Sequence, residues 1–189
     1  MSAGDSAPQG DALAGYLPDA LRRLRGHKKL VERALEQVGD EDFFRALDPE
    51  SNSIAIVVKH LCGNMRSRFT DFLTSDGDKD DRQRDREFLP EGESREALMA
   101  RWESAWALAL STLESLTPAD LGKGITINSE PHTVLGAINR HLAHFAYHAG
   151  QIVFLAKHFV GPRWRSISIA RGDSEAWRES MRRKHGQPT

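Results

Sequence analysis

Three histidines lie at offsets of three and four residues in the last long helical pattern of the chain. On a helix that turns by about 100° per residue, His141, His144 and His148 fall within about 60° of one another and share one face. Neutral imidazole is the commonest protein ligand of transition metals, and the pair His144 and His148 has the one-turn spacing at which two rings can bind one ion. The spacing therefore predicts a metal site, which needs a further ligand from another helix.

His60 is the best candidate for this third ligand. It lies in the middle of an earlier helical pattern, on a stripe that is more polar than the apolar stripe beside it. The other members of this stripe are Ser53, Ile56, Asn64 and Ser67. Three histidine nitrogens leave at least one coordination position open, which is typical of catalytic rather than structural sites. The predicted metal ligands are therefore His60, His144 and His148, and their ion would activate water or a thiol near neutral pH.

The alternative is that each histidine is a surface or partly buried side chain that hydrogen-bonds to a neighbour. His141 lies two helical turns before His148, so we expect it to support a ligand from behind or to face solvent rather than to bind the ion. Four other histidines have no matching stripe and are predicted to lie on the surface: His27, His132, His158 and His185. Cys62 is predicted to be a small core residue.

Apolar residues at helical spacing predict the elements that must position these side chains. Four long amphipathic helices are expected over residues 17–38, 53–74, 94–116 and 133–159. The charged segment 75–86 is predicted to be a solvated connection, and 121–131 to hold at most a small hairpin. An extended segment at 166–169 and a terminal helix at 174–184 are expected to follow. The pattern predicts an all-α antiparallel four-helix bundle, in which facing helices build metal sites.

Size and composition favour one domain. The chain has 189 residues, of which 39% are hydrophobic and 28% charged. We expect a flexible leader over residues 1–15 and a single domain over 16–189. Its 26 basic and 27 acidic residues give a formal net charge of -1, so no global field would attract nucleic acid or an anionic membrane.

The sequence also predicts a cytoplasmic protein. Its beginning lacks the basic start and apolar stretch of a signal peptide, and no apolar run approaches the ~20 residues that span a bilayer. The chain has a single cysteine, which excludes an intrachain disulfide and a Cys-x-x-Cys zinc site. A bound metal must therefore be held by nitrogen and oxygen atoms.

The segments around the predicted ligands carry a family resemblance. Ile-Ala-Ile-Val-Val-Lys-His-Leu, which includes His60, and the downstream His144-x-x-x-His148-Ala-Gly-Gln resemble the DinB/YfiT-like superfamily of four-helix-bundle proteins. The segments 130–140, 148–153 and 164–172 resemble a branch whose members are mostly labelled as domains of unknown function. The resemblance covers nearly the whole chain after the leader.

The resemblance implies a metal, commonly nickel or zinc with iron or manganese as alternatives. In that superfamily one histidine of the second helix and two of the last bundle helix bind it, and these positions correspond to His60, His144 and His148. Characterised relatives are transferases and isomerases that use bacillithiol, mycothiol or glutathione, with a metal-bound thiolate as the expected nucleophile. One departure is Ala149, where many relatives carry arginine.

Two functions from different classes follow. The first is a metal-dependent enzyme of the thiol S-transferase or hydrolase type, acting on a small-molecule substrate. The second is a noncatalytic, stress-related bundle that binds a metal or ligand. No general base stands out, although Asn64, Gln151 and Glu130 are candidates to orient a bound group.

A mostly apolar strip on the outer side of the fourth helix predicts a homodimer. Its residues are Ala143, Ala146, Tyr147, Gly150 and Phe154.

Overall fold

The computed structural model describes residues 13–186, and most of them are helical. The helices are α1 (Tyr16–Leu35), α2 (Asp40–Phe44), α3 (Ile54–Phe69), α4 (Arg95–Glu114), α5 (Val134–Val160) and α6 (Ser174–Lys184). Strands β1 (Gly124–Ile127) and β2 (Glu130–Thr133) lie between α4 and α5. Residues 1–12 of the predicted leader lie outside the described part of the chain. Within that part, no helix combines the length and apolar character needed to cross a bilayer.

Three helices begin at the residues that the sequence indicates. The side-chain oxygens of Ser53, Ser94 and Thr133 each accept a hydrogen bond from the backbone N–H three residues later, which satisfies a free donor of the first turn. Helix α5 ends at Val160, and the next residue, Gly161, has a φ of 59°, which suits a residue without a Cβ atom. The predicted terminal helix at 174–184 is also confirmed.

Other boundaries differ from the prediction. Helix α1 ends at Leu35 rather than at residue 38. Gly39 is extended and precedes the short helix α2, which buries Phe43 in the core. Helix α3 ends at Phe69 rather than at residue 74. The prediction of an extended segment at 166–169 is wrong. These residues form bends and a non-helical connection, and they pair with no strand of the described sheet.

The four long helices pack around one hydrophobic core. Helix α1 contacts α4 and α5, and α3 also contacts α4 and α5, so each long helix lies against two others. The largest fully buried side chains include Trp102, Trp106 and Phe145, whose rings contact one another across α4 and α5. This packing fixes the faces of α3 and α5 that carry the predicted ligands.

A small hairpin closes one side of the region next to these faces. Strands β1 and β2 are antiparallel and joined by Asn128 and Ser129, whose φ angles are 53° and 62°. Such a turn matches the twist of the strands. The Asp76 carboxylate accepts hydrogen bonds from the backbone N–H groups of both turn residues and of Asp78, and these bonds hold its pKa well below the usual range. The expected hairpin is therefore confirmed, and it is tied to the loop after α3.

Candidate metal centre

The structure brings His60, His144 and His148 together between α3 and α5. The Nε2 atom of His144 lies 3.3 Å from Nε2 of His60 and 3.2 Å from Nε2 of His148. The ring centroids of His60 and His148 are 4.9 Å apart. One potential ligand atom from each residue lies within 4.8 Å of the others, and the three side chains are fully or partly buried. These three imidazoles therefore share one small space.

Hydrogen bonds to the opposite ring atoms orient two of these imidazoles. His60 Nδ1 lies 2.8 Å from Glu87 Oε2, and His148 Nδ1 lies 2.7 Å from Gln151 Oε1. Both oxygens are acceptors, so each Nδ1 carries the proton and each Nε2 keeps a free lone pair. Gln151 in turn donates its amide to the hydroxyl of Tyr147. Such partners fix the tautomer and the ring orientation of metal-binding histidines.

This arrangement fits a bound cation. Two nitrogen ligands that each lie about 2.1 Å from one ion are roughly 3.0–3.4 Å apart in octahedral or tetrahedral geometry, which matches the two Nε2 separations. A proton on His144 Nε2 can form a good hydrogen bond with only one of its two neighbours at a time, whereas a cation attracts all three lone pairs. The three histidines therefore present the donor set of a metal site with room for further ligands.

Behind His60 lies a buried ion pair. Glu87 accepts two hydrogen bonds of 2.9 Å from the Arg82 guanidinium, and the two side chains are 8% and 6% exposed. Burial alone would raise the pKa of Glu87, but the hydrogen bonds from His60 and Arg82 outweigh it and lower the pKa. The carboxylate is therefore charged, and it holds the proton of His60 on Nδ1.

Sequence reasoning missed this pair. Arg82 and Glu87 lie in or beside the charged connection that was predicted to be solvated, and a 3₁₀ turn at Arg84–Phe88 turns Glu87 inward. The one available signal is Gly63, an isolated glycine inside α3. A Cβ atom at position 63 would lie 2.7 Å from Glu87 Cδ, so glycine leaves the space that the carboxylate occupies.

A cavity of about 680 Å³ adjoins the three histidines. Its walls come from α3, α5, the loop after α3 and the hairpin, with Ile125 and Ile127 on the hairpin side. This volume lies within the usual range of small-molecule sites, about 300–1,000 Å³. The cavity gives a reactant access to the open side of the histidine cluster.

A family model described as a protein of unknown function (DUF1572) matches residues 11–173 of the chain. The chain belongs to this family. No curated protein and no solved structure matches it. The family description assigns no activity to its members.

The structure also places the other residues that the sequence singled out in this DUF1572 chain. Asn64 lines the cavity, and Gln151 orients His148, but Glu130 is exposed on β2 and does not line the cavity. Cys62 is buried as predicted, and burial raises the pKa of its thiol to about 12. His158 and His185 are exposed as expected.

Two further histidines are less exposed than predicted. His132 is partly buried on β2. His27 is also partly buried, because its ring stacks on Phe145 with 6.2 Å between the centroids. Both residues were predicted to lie on the surface, and the structure leaves each of them only partly exposed there. The sequence prediction considered each residue only within its own segment. Packing against a neighbouring element decides how much of each side chain is exposed.

His141 was expected either to support a ligand or to face solvent. The structure excludes the second role, because the side chain is buried. It is 6% exposed, packs edge to face against Phe69, and finds no hydrogen-bond partner for either ring nitrogen among the described residues. Burial and the nearby positive charge of Arg68 lower the pKa of His141 to about 4. The ring is therefore neutral at pH 7.

This burial makes His141 a source of acid sensitivity. Below its ordinary pKa of 6.5, the unfolded chain binds a proton that the folded chain rejects until the pH approaches 4. Unfolding free energy should thus fall by about 3 kcal/mol as the pH drops through this window. In metal-free His141→Leu this part of the pH dependence should disappear, as measured by urea unfolding at several pH values. His158→Leu is the exposed control, and parallel curves for His141→Leu and the parent protein would contradict the assignment.

Proposed function

We propose that this protein is a metal-dependent enzyme of the thiol S-transferase type, in which His60, His144 and His148 bind a divalent transition metal. Nickel or zinc is the proposed ion, and iron and manganese are the alternatives. The observation that carries the proposal is the convergence of three Nε2 atoms beside a cavity large enough for a small molecule. When bound, the cation would supply Lewis-acid chemistry that lowers the pKa of a coordinated thiol or water.

The side chains around the site support this role. Glu87 and Gln151 hold two imidazoles with their free nitrogens toward the cavity, so the metal site needs little reorganisation. The only cysteine in the sequence is Cys62, which is buried and has a raised pKa. A nucleophilic thiol must therefore come from a small molecule that enters the cavity. With water in place of the thiol, the same site would act as a hydrolase.

A thiol-dependent turnover assay tests the proposal. Metal-loaded protein should accelerate the attack of glutathione on 1-chloro-2,4-dinitrobenzene, in which a C–S bond forms, chloride leaves and the thiol proton passes to solvent. His144→Ala should remove this acceleration, whereas the exposed control His158→Ala should retain it. A panel of other thiols and electrophiles extends the assay. No metal-dependent turnover across the panel, together with a closed coordination shell, would instead favour the noncatalytic binding protein.

The fold we infer for this enzyme is the antiparallel four-helix bundle of the DinB/YfiT-like superfamily, with a single domain over residues 16–189. The pattern of helix contacts supports it, because the order α1, α4, α3, α5 closes into a ring in which every long helix lies beside two others. One continuous core cluster within the described residues supports a single domain.

A homodimer is the assembly we propose. Tyr147 and Phe154 project from the outer side of α5 and are 63% and 64% exposed, so an apolar strip remains open in one copy. Multi-angle light scattering at micromolar concentration should give twice the monomer mass of 21.1 kDa. Tyr147→Glu together with Phe154→Glu should return the protein to a monomer, and a monomeric mass for the unmodified protein would refute the proposal.

A further inference from the structure

The cavity beside the three histidines carries an excess of positive charge. Its lining includes four arginines, Arg68, Arg82, Arg84 and Arg140. The only acidic residue of this lining is Asp78. The whole chain has 26 basic and 27 acidic residues, so the excess is local to this cavity. A cleft lined by one sign of charge concentrates ligands of the opposite sign.

Two of these arginines already have partners within the protein. Arg82 binds Glu87 and lies 3.2 Å from Asp78 Oδ1. Arg68 lies 3.2 Å from the same Asp78 oxygen and donates to the backbone oxygen of Gly77. Both side chains are largely buried, and they shape the wall of the cavity. Glu87 and Asp78 thus offset the charges of Arg82 and Arg68, so the positive excess of the cavity comes from the other two arginines.

The other two arginines have no carboxylate within ion-pair distance among residues 13–186. Arg84 lies over Phe88, with 5.3 Å from its guanidinium carbon to the ring centroid, and Phe88 in turn packs against His60. Arg140 lies one helical turn before His144 on α5, which places it on the same side of the helix. Both residues line the cavity and are exposed. Their guanidinium groups are available to a ligand.

Two polar side chains without a hydrogen-bond partner line the same cavity. Asn64 is 7% exposed, and no hydrogen bond joins its side chain to another described residue. His141 is 6% exposed, and neither of its ring nitrogens has a partner in the described part of the chain. The amide of Asn64 is therefore free to hydrogen-bond a ligand or water in the cavity, whereas the ring nitrogens of His141 are enclosed by protein atoms.

We propose that the substrate or thiol cosubstrate is an anion whose carboxylate or phosphate group binds Arg84 and Arg140 while its reacting atom lies at the three histidines. The planar guanidinium group binds such oxyanions with two parallel hydrogen bonds. Asn64, which lines the same cavity one helical turn after His60, supplies a further polar contact. This inference names the substrate class of the proposed enzyme and therefore rests on the function proposed above.

Calorimetric titration of the metal-free protein with succinate and with inorganic phosphate tests the inference separately from catalysis. Saturable binding of at least one anion is expected, and Arg140→Gln and Arg84→Gln should each weaken it by about tenfold or more. Arg178→Gln, at an exposed arginine of α6, is the matched control and should leave the affinity unchanged. Circular dichroism should show that all three variants fold, because the substituted side chains are exposed.

The outcomes separate this inference from the proposed function. Absence of saturable binding of both anions, or equal affinities in the parent, Arg84→Gln and Arg140→Gln, would overturn the anion site. Both arginine variants should still bind zinc with the parent affinity, because neither residue contacts a histidine nitrogen. Arginine-dependent anion binding in a protein that fails to bind metal would support the anion site and would overturn only the proposed metal-dependent function.

Discussion

His144→Ala should lower the affinity for zinc or nickel by at least about a hundredfold. His144 is the central member of the cluster, since its Nε2 lies 3.3 Å and 3.2 Å from the matching atoms of His60 and His148. Loss of a residue that only supports a ligand typically costs 10–100-fold in metal affinity, so loss of a ligand itself should cost more. Competition with a chromophoric chelator measures the affinity directly.

The matched control for this variant lies on the same helix. His158→Ala removes an exposed imidazole near the end of α5 and should leave the metal affinity unchanged. His60→Ala and His148→Ala should behave like His144→Ala. If His144→Ala kept the parent affinity while its circular dichroism spectrum stayed helical, the three histidines would not be the metal site.

Glu87→Ala is expected to have the largest effect on stability. The substitution leaves the Arg82 guanidinium buried without its partner and removes the acceptor of His60 Nδ1–H. Breaking a buried pair from one side typically costs about 3–5 kcal/mol. The metal affinity should also fall by about 10–100-fold, because the free His60 ring loses its fixed tautomer. Urea unfolding of the metal-free protein and chelator competition measure the two effects.

Two comparisons separate charge burial from general surface effects. Glu114→Ala removes the partner of Arg25 in an exposed pair and should change stability by about 0–1 kcal/mol. The double variant Arg82→Leu/Glu87→Leu removes both buried charges, so it should recover stability relative to Glu87→Ala but not metal affinity. A Glu87→Ala protein as stable as Glu114→Ala would show that the pair is not buried as described.

The local signals of the sequence predicted the helical framework well. Ser53 and Ser94 act as N-caps because their hydroxyls accept backbone N–H groups, and that local chemistry is visible without tertiary structure. Gly161 ends α5 for an equally local reason. Helix α2 was missed because its five residues are too short to show a helical period, and only burial of Phe43 in the core reveals it.

The part of the candidate site that can be recognised from the residue pattern of single helices was predictable. The spacing of His144 and His148 and the polar stripe around His60 predicted residues that the structure brings together, and metal binding by them stays a prediction. Glu87 and Arg82 could not be found in this way, because a charged loop residue becomes buried only through a partner on another element. His141 shares the helix face of the ligands, yet its burial against Phe69 depends on the packing of α3 on α5.

A crystal structure of zinc-loaded protein, with anomalous scattering recorded at the zinc edge, tests the central claim most directly. One anomalous peak is expected between the Nε2 atoms of His60, His144 and His148, about 2.0–2.1 Å from each, with at least one coordination position open toward the cavity. A zinc peak bound elsewhere, or no peak at this cluster when zinc equals the protein concentration, would contradict it.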